Sequence, residues 1–421
     1  MKKFFLWLLM VLGLIALLVF GTVGWLYYST DATAIPAISV TLGSSPLTLN
    51  GYKWNAPVLG DGLFKSSSAP HSLAGDIITE TSSATVPLSV PSGFAARVII
   101  KSGNEVIFDG TDAEYAGFRL PANGEYIYAV TLQKPAAERE GNGEFYFDAK
   151  LNLAVEPAIT LSADSILQGG VISVAVSNIM DETVPEIQTE LGMATFTNIG
   201  GVQMAFVPVS YNREPGEYTI EVRCGDIIKA YPVKIIHNDF SVQNMTIDQG
   251  IADSTANSAA ANAEYRAKIW PLYETADAQT YWEGMFKQPV FGEITTEYGL
   301  RRYINGSKNP ERHGGIDIAA GEGTMILAPN NGKVVFAEFI ALTGNTVVIE
   351  HGAGIKSYFF HMSKLHVNKG DMIKTGDNVG EVGTTGFSTG AHLHYEVKIG
   401  NQSINPWQLF NGTSGIYFTP N

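Results

Sequence analysis

The stretch "RHGGIDIAAG" (residues 312–321) places a histidine and an aspartate four residues apart, on either side of two glycines. A second stretch, "GAHLHYEV" (residues 390–397), places two histidines one residue apart. Because side chains alternate between the faces of a strand, His392 and His394 share one face if this stretch is a strand. Six of the 8 histidines of the chain lie between positions 313 and 394. Their concentration predicts a functional site in this part of the chain.

These residues are typical donors for a metal ion. His313 and Asp317 supply a nitrogen and an oxygen donor, and the glycines between them let the backbone bend so that both can face one ion. A zinc site needs three or four such donors, with one position open if the site is catalytic. Spacing alone leaves ordinary core or surface imidazoles as the alternative, since short histidine motifs also occur by chance.

The sequence around these motifs predicts a mostly β protein. From Gln288 the chain is dense in glycine, with short strands such as "NTVVIEHG" and "IKSYFFHM", which predicts a compact antiparallel β domain over 288–421. Alternating runs upstream predict two β-sandwich-like modules, 31–157 and 158–249, the second resembling an immunoglobulin-like module. Residues 250–287 are interpreted as a partly helical connector.

The connector helix has predicted ends. Asp253 or Ser254 is a suitable N-cap, and Pro271 is expected to end or kink the helix.

The N-terminus predicts a membrane anchor over residues 1–30. Phe4 to Tyr28 is an uncharged stretch of 25 residues, longer than the h-region of a signal peptide and long enough to cross a bilayer. Lys2 and Lys3 precede it, which predicts a cytoplasmic N-terminus and an extracytoplasmic C-terminal domain on a single-pass anchor. A cleaved signal peptide is the alternative, and either anchor or signal exports the rest of the chain.

Charge and cysteine content exclude several classes. The formal net charge is -14. The residues from Gln288 onward contribute only -1 (10 Lys/Arg against 11 Asp/Glu), so the first 287 residues are strongly acidic. Such a chain does not bind nucleic acid, because phosphate contacts need clustered Lys and Arg. The single cysteine rules out an intrachain disulfide and a cysteine-based zinc site.

Five stretches of the C-terminal part form an ordered set of motifs: "GEITTEYGLRRY", "RHGGIDIAA", "YFFHMSKL", "VNKGDMIKTGDNVGEVGTTGFSTGAHLHYEV" and "NPWQL". Together they resemble the M23 family of zinc metallopeptidases, of the lysostaphin and LytM type, over about residues 290–410. The resemblance implies endopeptidase action on peptidoglycan peptides with one Zn²⁺ per chain. It further implies that His313, Asp317 and His394 bind zinc, and that His361 and His392 are catalytic.

In that chemistry, zinc activates a water molecule and polarises the scissile carbonyl. The sequence has no HExxH glutamate, so proton transfer falls to imidazoles, whose ordinary pKa near 6.5 suits it. Which of the two catalytic histidines is base and which is acid stays open.

Other polar residues near the motifs are assigned lesser roles. Glu396 is either a partner of the metal ligands or a plain strand-end carboxylate, and Arg301 is expected in a structural ion pair. His351 is interpreted as a turn residue and His366 as a surface residue.

The sequence therefore predicts an extracytoplasmic zinc endopeptidase anchored in the bacterial cytoplasmic membrane. The β modules are expected to hold the peptidase domain at the cell wall, and to offer a surface to a possible cell-envelope protein partner. The first alternative is a non-catalytic, regulatory M23-like interaction protein. The second is a wall-binding module whose peptidase activity is incidental.

Overall fold

Strands predominate in both units into which the chain divides, Met1–Glu156 and Pro157–Asn421. The structure is a computed structural model, and it describes residues 2–60, 62–72, 76–137, 140–246, 250 and 258–420. The predicted mostly β fold class, with an apolar N-terminal helix and a C-terminal β domain, is confirmed.

The first unit begins with helix α1, Lys2–Ser29, which buries none of its side chains. Leucine-rich sequence without proline favours the helix, and 28 residues extend over roughly 42 Å at the α-helical rise. In length and apolar composition this helix is sufficient to cross a membrane. The Lys2 and Lys3 flank therefore lies at one end of a potential span.

The remainder of this unit is built on a seven-stranded sheet of order β4-β3-β10-β9-β7-β8, with β5 beside β10, and a three-stranded sheet of order β2-β1-β6. Its elements are β1 Thr41–Leu42, β2 Ser45–Pro46, β3 Gly51–Leu59, β4 Leu63–Ala69, β5 Asp76–Thr81, β6 Leu88–Ser89, β7 Ala95–Ser102, β8 Glu105–Thr111, α2 Asp112–Tyr115, β9 Gly124–Lys134 and β10 Asn142–Leu153.

The second unit starts with two four-stranded sheets, of order β11-β13-β16-β15 and β12-β18-β17-β14. Apolar side chains of both sheets, such as Val174 and Ile220, form one core, so the sheets face each other. Cys224 is a buried residue of this core, on the same face of its strand as Ile220 and Val222. The strands are β11 Ala158–Leu161, β12 Ser165–Leu167, β13 Val171–Ser177, β14 Glu186–Thr189, β15 Thr197–Ile199, β16 Val202–Pro208, β17 Gly216–Cys224 and β18 Ile227–Ile236.

Strand β19, Val242–Met245, and helix α3, Ala259–Tyr273, lie between this sandwich and the C-terminal domain. The Ser258 side chain accepts a hydrogen bond from the Ala261 N–H and caps the helix. The predicted caps, Asp253 and Ser254, lie outside the described residues. Pro271 sits inside the helix, which ends two residues later, near the end that the sequence predicted.

The C-terminal domain is built on an eight-stranded sheet of order β20-β23-β31-β27-β26-β25-β29, with β32 beside β31. Two three-stranded sheets, β19-β21-β22 and β24-β30-β28, complete it. Its elements are β20 Glu293–Thr296, β21 Arg301–Ile304, β22 Glu311–Arg312, β23 Ile316–Ala319, β24 Met325–Leu327, β25 Gly332–Ile340, β26 Gly344–Gly352, β27 Ile355–Met362, β28 Lys364–Leu365, β29 Met372–Ile373, β30 Asn378–Glu381, β31 His392–Ile399, β32 Gln402–Ile404, α4 Pro406–Phe410 and a 3₁₀ helix, Gly415–Tyr417.

The sandwich and the C-terminal sheet share one hydrophobic core. Val171 and Phe206 of the sandwich belong to the same buried cluster as Phe286 and Tyr298 of the C-terminal part. The Asn405 N–H also donates to the Gly169 carbonyl at 2.9 Å. The sandwich and the C-terminal sheet thus pack as neighbours within one unit, while the predicted domain boundaries stay predictions.

Strands β23 and β31 pair antiparallel, with Asp317 opposite His394 and Ala319 opposite His392. Close packing just before β23 requires glycine. A Cβ at Gly315 would lie 2.2 Å from the Tyr395 carbonyl oxygen, inside any real contact distance. The two glycines of "HGGID" therefore let the loop lie directly against β31.

We expect Gly315→Ala to destabilise the C-terminal domain by about 2 kcal/mol or more, because its methyl group meets backbone that cannot rotate away. Gly321→Ala is the matched control, since a Cβ there meets nothing closer than 3.8 Å and alanine also restricts the unfolded chain. Thermal unfolding of the full-length variants in detergent micelles measures both. Equal melting temperatures for the two variants would contradict the close packing described for Gly315.

Candidate active site and metal centre

His313, Asp317 and His394 converge on one point. The Asp317 Oδ1 atom lies 2.9 Å from His313 Nε2 and 2.9 Å from His394 Nδ1, and the two nitrogens are 2.9 Å apart. The three residues form a group whose donor atoms could hold a metal ion. Two strands and the loop before one of them bring together side chains that are 77 positions apart.

Neighbouring groups fix how these side chains point. His313 Nδ1 lies 3.0 Å from the Glu297 carbonyl oxygen. A carbonyl only accepts, so this nitrogen donates, and Nε2 is the atom that faces Asp317. The His394 ring stacks on Phe360, with ring centres 5.2 Å apart and planes 3° from parallel.

The electrostatics match a cation site. Burial by itself raises the pKa of the Asp317 carboxyl, but its contacts with His313 and His394 outweigh burial and hold that pKa well below the ordinary value. Burial, ahead of every other cause, lowers the pKa of His394. An ionised carboxylate and a neutral imidazole are the protonation states in which these side chains bind metals.

The geometry also fits a metal on chemical grounds. His313 Nε2 and Asp317 Oδ1 are 2.9 Å apart, which fits a hydrogen bond when that nitrogen carries a proton. When that proton leaves, the nitrogen turns a lone pair towards the same point, and a cation there attracts both atoms. Two nitrogens and one oxygen form a donor set that zinc accepts.

His361 and His392 form a second pair beside this group, with ring centres 4.9 Å apart. His361 Nδ1 lies 2.9 Å from the Thr385 carbonyl oxygen, and His392 Nδ1 lies 2.8 Å from the Gly390 carbonyl oxygen. Both Nδ1 atoms therefore donate to backbone, which leaves both Nε2 atoms available. His392 Nε2 is 3.8 Å from Asp317 Oδ1, so the pair adjoins the candidate metal ligands.

The backbone of His361 is in the left-handed region, with φ of 64°, which residues other than glycine seldom adopt. Its N–H donates to the Thr343 carbonyl at 2.8 Å, and its carbonyl accepts from the Thr385 N–H at 3.3 Å. These bonds hold the conformation in place. Burial, with the neighbouring His392 and His394 rings, lowers the pKa of His361 to about 3, so this ring stays neutral.

All five site residues predicted from the sequence line one cavity of about 530 Å³. The lining also includes Gln243, Arg302, Leu342 and Phe387. A volume of this size lies within the range of ligand-binding pockets, about 300–1,000 Å³.

The remaining histidines of this domain lie away from the cavity lining. His351 is fully buried in β26 between the Asn331 carbonyl and the Ser357 hydroxyl, and burial lowers its pKa to about 4. The interpretation of His351 as a turn residue is therefore wrong, because its neighbours place it inside the sheet. His366 pairs with Glu381 at 2.9 Å and is partly exposed.

Glu396 and Arg301, the two other polar residues singled out from the sequence, lie outside the metal group. Glu396 is buried and pairs with Lys398 at 2.8 Å, so it forms a core ion pair in place of a bond to a metal ligand. The expected ion pair of Arg301 is not found among the described residues, where its Nε atom is buried without a hydrogen-bond partner. Arg302 contacts Asp317 instead, although the sequence did not predict a role for it. Arg302 directly follows Arg301, and nothing in the sequence indicated which of the two arginines would contact Asp317.

Comparison with known proteins places this site in a family. Residues 311–406 match the model of peptidase family M23. Residues 311–406 are therefore an M23 domain, and His313, Asp317 and His394 all lie within the matched residues.

The chain is 40% identical over 117 residues to the DD-carboxypeptidase/endopeptidase Mpg of Neisseria meningitidis, covering 28% of this chain and 27% of that protein. It is 33% identical over 116 residues to the peptidoglycan DD-endopeptidase ShyB of Vibrio cholerae, covering 28% and 27%. The chain thus spans less than a third of the length of these curated relatives. Among solved structures, the catalytic domain of lysostaphin from Staphylococcus simulans is 28% identical, with a TM-score of 0.26, covering 28% of this chain and 92% of that one.

We expect His313→Ala and His394→Ala each to weaken Zn²⁺ binding by more than about 100-fold, since loss of a mere supporting contact already costs 10- to 100-fold. His366→Ala is the control, because it removes an imidazole from the same domain outside the cavity. Competition with a chromophoric chelator measures the three affinities. Wild-type affinity in either of the first two variants would rule that histidine out as a ligand.

Proposed function

We propose that this chain is a membrane-anchored, extracytoplasmic zinc endopeptidase that hydrolyses peptide bonds in peptidoglycan stems or cross-bridges. The observation that carries this proposal is the convergence of His313, Asp317 and His394 beside His361 and His392 in one cleft. The M23 domain and relatives named as peptidoglycan endopeptidases support the substrate class.

In this proposal His313, Asp317 and His394 hold one zinc ion per chain. Zinc, when bound, supplies Lewis acidity for a water molecule and for the scissile carbonyl. The two imidazoles are neutral ligands and Asp317 brings one negative charge, so the centre keeps a net positive charge. Three protein ligands leave a coordination position open, as catalytic zinc sites require.

The two remaining histidines divide the proton transfers. His361 is buried and neutral, so its Nε2 accepts a hydrogen bond from the attacking water and orients it. The His392 side chain is 17% exposed and lines the cavity, so its ring can reach both the substrate and the solvent. We assign to His392 the proton that passes from the water to the leaving amine, and the contact to the oxygen that becomes negative.

A non-catalytic regulatory protein is the second candidate. Family M23 domains without activity would be expected to lack a ligand or a catalytic histidine, and this chain has all five residues. The same geometry disfavours a wall-binding module with incidental activity. Backbone carbonyls orient His361 and His392 beside the metal group, and binding to the wall alone does not require that arrangement.

The N-terminal helix supports a place for the enzyme in the envelope. Helix α1, with Lys2 and Lys3 at its start, is assigned as a single span with a cytoplasmic N-terminus. The second β module is assigned as immunoglobulin-like, and a cell-envelope protein partner for the β modules stays a prediction.

We expect His361→Ala and His392→Ala to retain zinc yet lose about 10²- to 10³-fold in turnover, because they act on charge that develops only in the transition state. Turnover on a cross-linked muropeptide and zinc content are measured on both variants. His351→Gln serves as the control for loss of a buried imidazole outside the cavity. Loss of zinc from His392→Ala, with zinc retained by His394→Ala, would reverse the assignment of roles in "HLH".

We expect the full-length protein to sediment with membranes and the C-terminal domain to be shaved by protease added to intact spheroplasts. The charge pattern at the ends of α1 gives the reason. Lysed spheroplasts are the control for protease access. A C-terminal domain that is protected until lysis would reverse the proposed orientation.

A further inference from the structure

The two carboxylate oxygens of Asp317 face different neighbours. Its Oδ1 atom faces His313 and His394 at 2.9 Å each. Its Oδ2 atom faces the guanidinium of Arg302 at 3.5 Å. The Asp317 side chain is 9% exposed, so each oxygen needs a partner inside the protein.

Arg302 is itself held by two neighbours. Its Nε donates to Gln243 Oε1 at 3.0 Å, and its terminal nitrogen donates to Thr296 Oγ1 at 3.0 Å. A guanidinium is a rigid planar fork, so two such bonds fix its plane as well as its position. Arg302 therefore presents a fixed donor to Asp317.

Gln243 comes from outside the M23 match. It belongs to β19, which pairs in parallel with β21 so that Gln243 lies opposite Arg302. Its neighbours along β19 alternate: Gln243 and Met245 line the cavity, whereas Val242 and Asn244 are exposed.

Backbone bonds and packing hold this strand at both ends. The Arg301 N–H donates to the Ser241 carbonyl at 2.9 Å, and the Asn305 N–H donates to the Met245 carbonyl at 3.0 Å. Just before the strand, Phe240 packs against Tyr298 with ring centres 6.2 Å apart, and Arg312 lies over the Phe240 ring. The segment that follows the sandwich is thereby built into the wall of the cleft.

We propose that Arg302 is a positioning residue for the metal ligand Asp317, and that Gln243 of β19 positions Arg302. The proposal rests on the proposed metal role of Asp317. It makes the segment after the β-sandwich a functional part of the peptidase site, because a residue of that segment sets the orientation of a ligand.

The test must separate orientation from charge. A positive charge beside a metal ion repels it, so removing Arg302 altogether would change two effects at once. Arg302→Lys keeps the charge and loses the fork, and Gln243→Ala leaves the charge of Arg302 untouched. Asn244→Ala is the matched control, because Asn244 is exposed on the same strand.

The experiment measures the Zn²⁺ dissociation constant by chelator competition, and kcat and KM on a cross-linked muropeptide, for full-length variants in micelles. We expect Arg302→Lys and Gln243→Ala to weaken zinc binding about 10-fold, the lower end for loss of a supporting partner. Both variants interrupt the same series of contacts, from Gln243 through Arg302 to Asp317. The double variant should therefore bind zinc no more weakly than Arg302→Lys. Asn244→Ala should match the wild type.

Unchanged zinc affinity in both single variants would overturn the proposal, and additive losses would overturn the route from Gln243 through Arg302. Melting temperatures of the metal-free variants separate loss of folding from loss of orientation. A wild-type chain that binds no zinc would instead refute the proposed function, so the two failures can be told apart.

Discussion

The site depends on the register between strands β23 and β31. Asp317 stands opposite His394 in that pairing, so an aspartate and a histidine from distant parts of the sequence become neighbours. A one-residue slip would turn one of them to the other face of the sheet. The close approach of Gly315 to the Tyr395 carbonyl fixes this register from one side. Ile316 of β23 and Leu393 of β31 are fully buried, and their burial also fixes the register between the two strands.

Burial gives the site its chemistry. Ionised groups are costly to bury unless they are paired, and the contacts with His313 and His394 outweigh the effect of burial on the Asp317 carboxyl and keep its pKa low. Imidazoles escape that cost by staying neutral, as His361 does. Backbone carbonyls at Thr385 and Gly390 then decide which nitrogen of each catalytic candidate holds the proton. A centre of neutral imidazoles and one carboxylate attracts a cation and leaves unprotonated nitrogens beside it.

Much of this was accessible from the sequence, because the informative patterns are local. Strand alternation in "HLHYEV" put His392 and His394 on one face, and the charge-free run from Phe4 to Tyr28 predicted the apolar helix that the structure contains. Contacts between distant segments were not accessible. Nothing in "SVQNM" indicates that Gln243 would pair beside Arg302, since parallel pairing of remote strands leaves no local pattern. The environment of His351 was misjudged for a similar reason, because a turn-like "HGAG" hides a strand that packs on Phe286. Assignment of ligand and catalytic roles among the five residues stays a prediction.

The most direct test of the proposed hydrolysis follows the water molecule. Full-length protein in micelles, loaded with zinc, is incubated with purified cross-linked muropeptides in water enriched in heavy oxygen, and the products are identified by mass. We predict separated stem peptides in which one heavy oxygen enters the newly formed carboxylate, and no such products after chelation. Intact cross-links, or cleavage confined to the glycan with every peptide bond preserved, would contradict this prediction.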